Sequence, residues 1–178
     1  MNSLDELRTA RLRLTRMQAS DVDDLARMHR DPQVMATLGG VRSAAETTQI
    51  VERLVAHWAQ QGFGYWLVRD LATDRFAGRG GLRHVAVGER EEVEVAYALM
   101  PEFWRRGLAT ELARECVRVG FAELQRADLV CFTLTTNRAS QRVMECAGFV
   151  YERDVIYADL PHVLYRQTAV AWRARAGS

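Results

Sequence analysis

The sequence predicts an α/β domain in which a mixed sheet carries helices on its faces. Strand-like segments, with two-residue alternation or β-branched apolar runs, are interspersed with segments that have an apolar helical face. No repeat, linker or low-complexity stretch divides the chain. Its 178 residues are enough for one ordinary domain with a buried core, so we expect a single domain over residues 1–178.

Local signals mark the elements in order along the chain. Ser20 is predicted to cap the first helix, and Ser43 with Glu46 forms a capping box for the second, which Gly62 ends. The predicted strands lie at 11–15, 63–69, 76–87, 93–100, 128–135, 149–157 and 163–171. The predicted helices run from Ser20 to before Pro32, from Ser43 to Gly62, over 108–124 and over 139–147.

Composition excludes several classes of function. Apolar residues at 48% and charged residues at 26% are typical of a globular protein, and a net charge of +1 favours neither nucleic acid nor a membrane surface. No apolar run approaches the ~20 residues that span a bilayer, and the N-terminus lacks signal-peptide features. Three cysteines in apolar patterns are typical of reduced core thiols. We therefore expect a cytoplasmic protein with no nucleic-acid or membrane partner.

The basic residues restrict the chemistry further. All 24 are arginine, which excludes a Walker-type phosphate loop, a Schiff base and a lysine nucleophile. A phosphate site in this chain must use backbone N–H groups and arginine. The four histidines show no metal-ligand spacing, so no metal site is expected.

The most informative stretch is Trp-Arg-Arg-Gly-Leu-Ala-Thr-Glu at residues 104–111, between a predicted strand and a predicted helix. Free N–H groups and the helix dipole make such a turn a site for phosphate. Gly107 and Ala109 leave room for close approach of a ligand, and Arg105 and Arg106 add positive charge. The pattern predicts a cradle for a diphosphate. The alternative is a solvated turn.

Glu94 is the candidate general base. Strand alternation places it on one face with Ala96 and Ala98, so the carboxylate faces a space rather than a packed layer. A partly desolvated carboxylate in such a place suits proton abstraction. The alternative is a solvated charge, or an ion pair with one of the arginines.

Asn137 and Ser140 lie where a predicted buried strand gives way to a helix. The spacing by itself favours Asn137 as a helix N-cap. Ser140 would then lie in the first helical turn, exposed and able to donate a hydrogen bond.

Taken in order, these motifs resemble the GNAT superfamily of acyl-CoA N-acyltransferases. More narrowly, they resemble the Rim-type N-acetyltransferases that modify ribosomal-protein N-termini. The similarity runs over nearly the whole chain and is sharpest at residues 93–99 followed by 104–111. It implies a single GNAT domain, with a mixed, mostly antiparallel sheet and helices on both faces. It also implies transfer of an acetyl group from acetyl-CoA.

The resemblance implies roles for particular residues. Backbone N–H groups would bind the CoA diphosphate at Arg105, Arg106, Gly107, Leu108, Ala109 and Thr110. The backbone of Leu99 and Met100 would pair with the pantetheine arm and polarise the thioester carbonyl. Asn137 would hydrogen-bond the pantetheine. Ser140 would bind the thiol and donate a proton to the departing thiolate, and Glu94 would deprotonate the amine, directly or through water.

Two positions depart from the family pattern. Trp104 stands where many relatives have glutamine or arginine, and Arg105 stands where Rim-type chains often have glycine. A cradle made of backbone groups survives both changes. Which of the two arginine side chains, Arg105 or Arg106, contacts phosphate stays open.

The acceptor is expected to be a primary amine that attacks acetyl-CoA directly in a ternary complex. A reference α-amine has a pKa of about 7.7–8.0 and lysine about 10.4, so a single modest base suits an α-amine better. We therefore favour a protein N-terminus. A small-molecule amine (an antibiotic, polyamine or amino-acid derivative) and a non-catalytic acyl-CoA sensor stay open. The absence of lysine disfavours a third alternative, a nucleotide-binding module. The sequence does not determine the oligomeric state, and both a monomer and a homodimer fit it.

Overall fold

The structure is a computed structural model that describes residues 4–176. Eight strands occur within this range: β1 (Glu6–Arg8), β2 (Leu12–Arg16), β3 (Tyr65–Asp70), β4 (Phe76–Val87), β5 (Arg90–Leu99), β6 (Asp128–Leu134), β7 (Val150–Tyr157) and β8 (Leu160–Thr168). Six helices occur within the same range: α1 (Val22–His29), α2 (Pro32–Met35), α3 (Ala44–Gln61), α4 (Leu108–Arg118), α5 (Arg138–Ala147) and α6 (Ala169–Ala176).

The strands hydrogen-bond in the order β1-β2-β3-β4-β5-β6-β8-β7. Pairing is antiparallel from β1 to β4 and between β6, β8 and β7, whereas β5 pairs with β6 in parallel. The predicted α/β class and the mixed, mostly antiparallel sheet are therefore confirmed. No helix within residues 4–176 has both the length and the apolarity needed to cross a bilayer.

The chain is organised in two compact units. One consists of residues up to Gly81 together with Tyr97–Leu112, and the other of Leu82–Ala96 together with residues from Ala113 onward. Strands β4 and β5 contribute to both. The expectation of a single domain over 1–178 stays a prediction, and its terminal residues 1–3 and 177–178 lie outside the described range.

The first unit has an aromatic core. Trp58 on α3 and Trp66 on β3 are fully buried and meet edge to face, with ring centroids 5.4 Å apart. The Trp58 indole donates a hydrogen bond to the carbonyl of Tyr65 at 2.7 Å, so its polar group is satisfied inside the core. A Cβ at Gly64 would lie 2.6 Å from the Trp58 ring, so only glycine fits there.

The second unit packs around one face of its strands. Its apolar cluster consists of Val85, Val87, Val130 and Leu164, with Phe132, Val155 and Tyr157 packed against it. The cluster contains members of β4, β6, β7 and β8, as expected where alternate side chains of paired strands bury together.

Two local signals at helix starts had different outcomes. The capping box of α3 is confirmed: the Ser43 hydroxyl accepts from the Glu46 N–H at 3.2 Å, and the Glu46 carboxylate accepts from the Ser43 N–H at 2.8 Å. The prediction that Ser20 caps the first helix is wrong. Ser20 lies inside a short 3-10 turn, Ala19–Asp21, that leads directly into α1.

Some element bounds also differ from the predictions. Helix α4 ends at Arg118 and continues as a π-type turn, Val119–Glu123, instead of an α-helix to residue 124. The last predicted strand ends at Thr168, and α6 follows it. The hydroxyl of Thr168 accepts a hydrogen bond from the N–H of Ala171 at 3.2 Å, which stabilises the start of this helix.

Candidate active site

The predicted cradle is a tight loop between β5 and α4. A 3-10 turn, Pro101–Phe103, precedes it, and Arg105 and Gly107 both take the left-handed conformation, with φ of 58° and 75°. The first helical hydrogen bond runs from the N–H of Glu111 to the carbonyl of Gly107 at 3.1 Å. The sequence predicted this strand–turn–helix arrangement.

The loop presents a run of unused backbone donors. Within the described range, none of the N–H groups of residues 105–110 donates a hydrogen bond to another protein group. Arg105, Arg106 and Gly107 are exposed, so these groups face solvent rather than a packed layer. Unused N–H groups at a helix N-terminus, together with the helix dipole, form a ready site for an anion such as a diphosphate.

The two arginines of the loop differ in their side-chain contacts. The guanidinium of Arg106 lies 3.7 Å from the carboxylate of Asp70 and 5.5 Å from the ring centre of Phe103. Among the described residues, the side chain of Arg105 makes neither an ion pair nor a hydrogen bond. The Arg106 side chain thus has partners among the described residues, whereas the Arg105 side chain is exposed, at a left-handed backbone position that disfavours a side chain.

Glu111, in the first turn of α4, ties the loop to the chain just before β2. Its carboxylate accepts from the backbone N–H of Arg11 at 2.8 Å, from Arg11 Nε at 2.7 Å and from the Thr9 hydroxyl at 2.5 Å. Arg11 Nη1 also donates to the carbonyl of Arg106 at 2.7 Å. Burial opposes ionisation of Glu111, but the hydrogen bonds from Thr9 and Arg11 outweigh it and hold the pKa of this carboxyl below its ordinary value.

This network was not predicted. Arg11 and Glu111 both lie in segments that carry the family resemblance, and this was the only sign in the sequence that either residue matters. No local pattern indicates that two residues so far apart in the chain are in contact. The network bonds both sides of Gly107: Arg11 holds the carbonyl of residue 106 before it and the carboxylate of residue 111 after it. It therefore fixes the conformation in which the N–H groups of the loop are presented.

Trp104 connects the loop to the strand before it. Its indole N–H donates to the carbonyl of Leu99 at 2.7 Å, which links the loop to the end of β5. The N–H of Met100 donates to the carbonyl of Ala77 at 2.8 Å. The carbonyl of Met100 accepts from the N–H of Phe103 at 2.9 Å, so both backbone groups of Met100 already have partners. The expectation that Leu99 and Met100 bind pantetheine through their backbone stays a prediction.

Close packing of β4 on β5 fixes the end of β5 as well. A Cβ at Gly78 would lie 2.2 Å from the carbonyl oxygen of Ala98, so any side chain at position 78 would push the two strands apart. The glycine-rich stretch 78–81 is part of β4, as the sequence predicted. It serves strand packing at this end of the sheet.

Glu94, the candidate base, is buried and paired. On the sheet it lies opposite Val130 of β6, and its side chain is 6% exposed. Its Oε2 accepts from Arg83 Nε at 2.5 Å, and the Arg83 side chain is 33% exposed. Of the readings that the sequence left open, the structure therefore contains the ion pair. The carboxylate is desolvated as expected, but an arginine partner holds it.

Asn137 caps α5. Its side-chain oxygen accepts from the N–H of Ser140 at 3.2 Å, and its amide group donates to the hydroxyl of Thr133 at 3.0 Å. The N-cap role that spacing favoured is thus present. Ser140 is half-buried in the first turn of the helix. The side-chain oxygen of Asn137 can accept one further hydrogen bond, and its NH2 group can donate one more. Hydrogen bonding to a ligand is therefore compatible with the N-cap role.

The described residues contain no cluster of three or more histidine, cysteine, aspartate or glutamate side chains that could hold a metal. His29 illustrates the structural use of histidine in this chain. Its ring is buried, with Nδ1 3.0 Å from the hydroxyl of Thr47. Burial, together with the nearby Arg79 and Arg42, lowers the pKa of His29 to about 4, so the ring is neutral at physiological pH.

Comparison with known proteins identifies the family. Residues 11–150 match the family described as "Acetyltransferase (GNAT) domain". The chain is 32% identical over 154 residues to the FsC-acetyl coenzyme A-N(2)-transacetylase of Aspergillus fumigatus, an alignment that covers 82% of this chain and 65% of that protein.

Two solved structures show the same fold. The ribosomal-protein-S5-alanine acetyltransferase from Vibrio fischeri superimposes with a TM-score of 0.76 at 17% identity, over 94% of this chain and 98% of that one. The aminoglycoside acetyltransferase AAC(6')-Ib, in complex with coenzyme A, superimposes with a TM-score of 0.76 at 20% identity, over 94% and 98% of the two chains. The chain therefore belongs to the GNAT family and is an acetyl-CoA-dependent N-acetyltransferase.

Proposed function

We propose that this acetyltransferase modifies an α-amine, and that the loop at residues 105–110 holds the diphosphate of acetyl-CoA. The observation that carries the cofactor assignment is the run of unused N–H groups at the start of α4. Gly107 is exposed in the middle of this run, and the one atom that a Cβ built there would meet within 4 Å is a nitrogen of the Arg11 guanidinium, at 3.5 Å. The exposed guanidinium of Arg105 adds charge.

The remaining roles follow from the family resemblance. Leu99 and Met100 would bind the pantetheine arm through their backbone, and Asn137 would hydrogen-bond it through its amide. Acetyl-CoA supplies the activated acyl group. Glu94 takes a proton from the attacking amine, and the Ser140 hydroxyl gives a proton to the sulfur that leaves.

A single carboxylate, Glu94, is the proposed base, and this favours an acceptor of low basicity. A weak base can help an α-amine, whose reference pKa is about 7.7–8.0, far more readily than a lysine amine at about 10.4. The proposed acceptor is therefore an α-amine, with a protein N-terminus favoured.

A small-molecule amine is the second candidate acceptor. Two of the similar proteins support it by name: one is an aminoglycoside acetyltransferase, and the other is an N(2)-transacetylase. The Vibrio fischeri neighbour, by contrast, is named for a ribosomal-protein alanine. Similar proteins thus support both classes of acceptor.

The test is release of free CoA thiol from acetyl-CoA in the presence of defined acceptors. One set contains short peptides with a free N-terminus and no lysine. A matched set has a blocked N-terminus and one internal lysine, and a third contains aminoglycosides and polyamines. We expect turnover with the free N-termini and little with the blocked lysine peptides. Turnover with the lysine peptides alone would contradict the α-amine assignment, and turnover with aminoglycosides or polyamines alone would favour the second candidate.

A further inference from the structure

Arg83 and Glu94 form an ion pair in which the two members differ in exposure. The Glu94 side chain is 6% exposed and the Arg83 side chain 33% exposed, so solvent reaches the guanidinium far more readily than the carboxylate. Arg83 Nη2 also lies 3.4 Å from the hydroxyl of Tyr157 on β7. The proposed base is thus covered by a cation that is itself accessible.

This arrangement sets a condition on the acceptor. A buried carboxylate needs a compensating charge. An amine that approached Glu94 as a simple cation would compete with Arg83 for the carboxylate and place two like charges side by side. An acceptor that carries its own anion next to the amine would pair with both members at once.

We propose that Arg83 recognises a carboxylate close to the acceptor amine, so that the acceptor is an α-amine with a neighbouring acidic group. The inference rests on the proposed function, because it takes Glu94 as the base. Guanidinium groups bind carboxylates with two parallel hydrogen bonds, which gives both affinity and orientation. When the acceptor carboxylate occupies Arg83, Glu94 is released from its partner and faces the amine.

The proton balance is simple. The neutral amine loses one proton to the Glu94 carboxylate as its nitrogen bonds to the acetyl carbon, and the carbon–sulfur bond of the thioester breaks. The sulfur receives a proton from Ser140, which regains one from solvent, and Glu94 releases its proton to solvent. No oxidant, metal or further co-reactant is required. Arg83 keeps its charge throughout and acts by binding the acceptor.

Two sources could supply this chemistry: a free amino acid, or a peptide whose first residue is acidic. The test uses matched pairs that differ only in the carboxylate. In one arm, peptides beginning with Asp are compared with peptides beginning with Asn. In the other, amino acids are compared with their amides. In the second arm, the α-amine of the amino-acid amide is less basic than the α-amine of the amino acid, so more of it is neutral and able to attack. Intrinsic reactivity therefore favours the amide, which is the opposite of the preference that we propose.

We expect kcat/KM to be about ten- to a hundred-fold higher for the carboxylate member of at least one pair, as expected for a charge-assisted hydrogen-bonded contact. In Arg83→Gln this preference should fall to within about two-fold, because the guanidinium that reads the carboxylate is gone. KM for acetyl-CoA should stay close to the wild-type value in the same variant. Arg90→Gln is the matched control: it removes an exposed arginine that pairs with Glu92 on β5, and it should keep the full preference.

The outcomes separate the two proposals. Equal kcat/KM for both members of every pair, or an unchanged preference in Arg83→Gln, would overturn this inference and leave the α-amine assignment intact. Absence of acetylation with every α-amine would instead overturn the proposed function. If Arg83→Gln does not fold, the wild-type comparison of the matched pairs still decides, and Arg83→Lys gives a second variant that keeps the charge but lacks the planar fork.

Discussion

Arg11 binds Glu111 through its backbone N–H at 2.8 Å and its Nε at 2.7 Å, and it donates to the carbonyl of Arg106 from the same guanidinium. The proposed diphosphate loop is thus held on both sides by one residue that lies outside it. A loop that must present backbone N–H groups to an anion needs a fixed conformation before the ligand arrives, because ordering it during binding would weaken affinity. The Arg11–Glu111 pair supplies that fixation.

Glu111→Gln tests this role. The variant loses the ion pair with Arg11, and we expect Kd for CoA to rise about ten-fold, as for loss of one charge-assisted contact at a partly exposed site. The turnover number at saturating acetyl-CoA should change much less, because Glu111 contacts no reacting atom. Titration calorimetry and steady-state kinetics measure the two effects. Glu115→Gln is the control, since Glu115 pairs with Arg118 on the same helix but away from the loop. Equal weakening in both variants would contradict a specific role for Glu111.

Gly107→Val tests the cradle itself. A branched side chain at position 107 would crowd the loop and press on the Arg11 guanidinium that holds it, so we expect CoA affinity to fall by at least about ten-fold, an affinity loss of ~1.4 kcal/mol or more. The left-handed backbone at Gly107, φ 75°, also makes valine strained there. Gly88→Val carries a similar strain at φ 63°, in a turn where a Cβ meets no atom within 4 Å. The two variants should lose similar stability, but only Gly107→Val should lose CoA binding. Wild-type affinity in Gly107→Val would refute the cradle.

Glu94→Gln tests the base. The amide keeps the shape of the side chain but cannot accept the proton, so we expect kcat to fall by about 10²–10⁴-fold, the usual contribution of a general base. CoA binding should stay within about two-fold of wild type. Glu91→Gln, an exposed neighbour on the same strand, is the control and should retain activity. Unchanged turnover of Glu94→Gln across the pH range would exclude Glu94 as the base.

His29 should make stability depend on pH. Its folded-state pKa of about 4 lies below the unfolded value of about 6.5, so between these values the unfolded chain takes up a proton that the folded chain does not. The stabilisation by neutral His29 is therefore fully present above about pH 6.5 and is lost as the pH falls toward 4. Urea unfolding of His29→Asn should show a smaller loss of unfolding free energy over this range than wild type. Identical slopes in wild type and His29→Asn would contradict the assignment.

The parts of the site that local pattern determines could be predicted from the sequence. The turn around Gly107 and the N-cap at Asn137 both depend on a few adjacent residues, and both are present in the structure. The partners of Glu94 and Glu111 could not be predicted. An alternating strand indicates that Glu94 points to one face, but nothing local selects Arg83 from among 24 arginines. Similarly, Arg11 and Glu111 are brought together only by the folded chain.

The differences in secondary structure have the same origin. The sequence around Thr168 continues the apolar pattern of β8, and this pattern predicts a strand that runs to residue 171. The chain instead turns into α6, where the N–H of Ala171 bonds the Thr168 hydroxyl and the N–H of Ala169 bonds the carbonyl of Ala127. The bond between Ala169 and Ala127 joins residues that are far apart in the sequence, so no local sequence pattern could predict it. Alanine is also the best helix former, which offsets the strand tendency of Val170.

The central claim is that backbone N–H groups of residues 105–110 hold the diphosphate of acetyl-CoA. The most direct measurement is a crystal structure of the protein with CoA bound. We expect diphosphate oxygens to accept hydrogen bonds from these N–H groups at the start of α4. A diphosphate bound elsewhere on the protein, with the N–H groups of residues 105–110 bonded only to water, would contradict it.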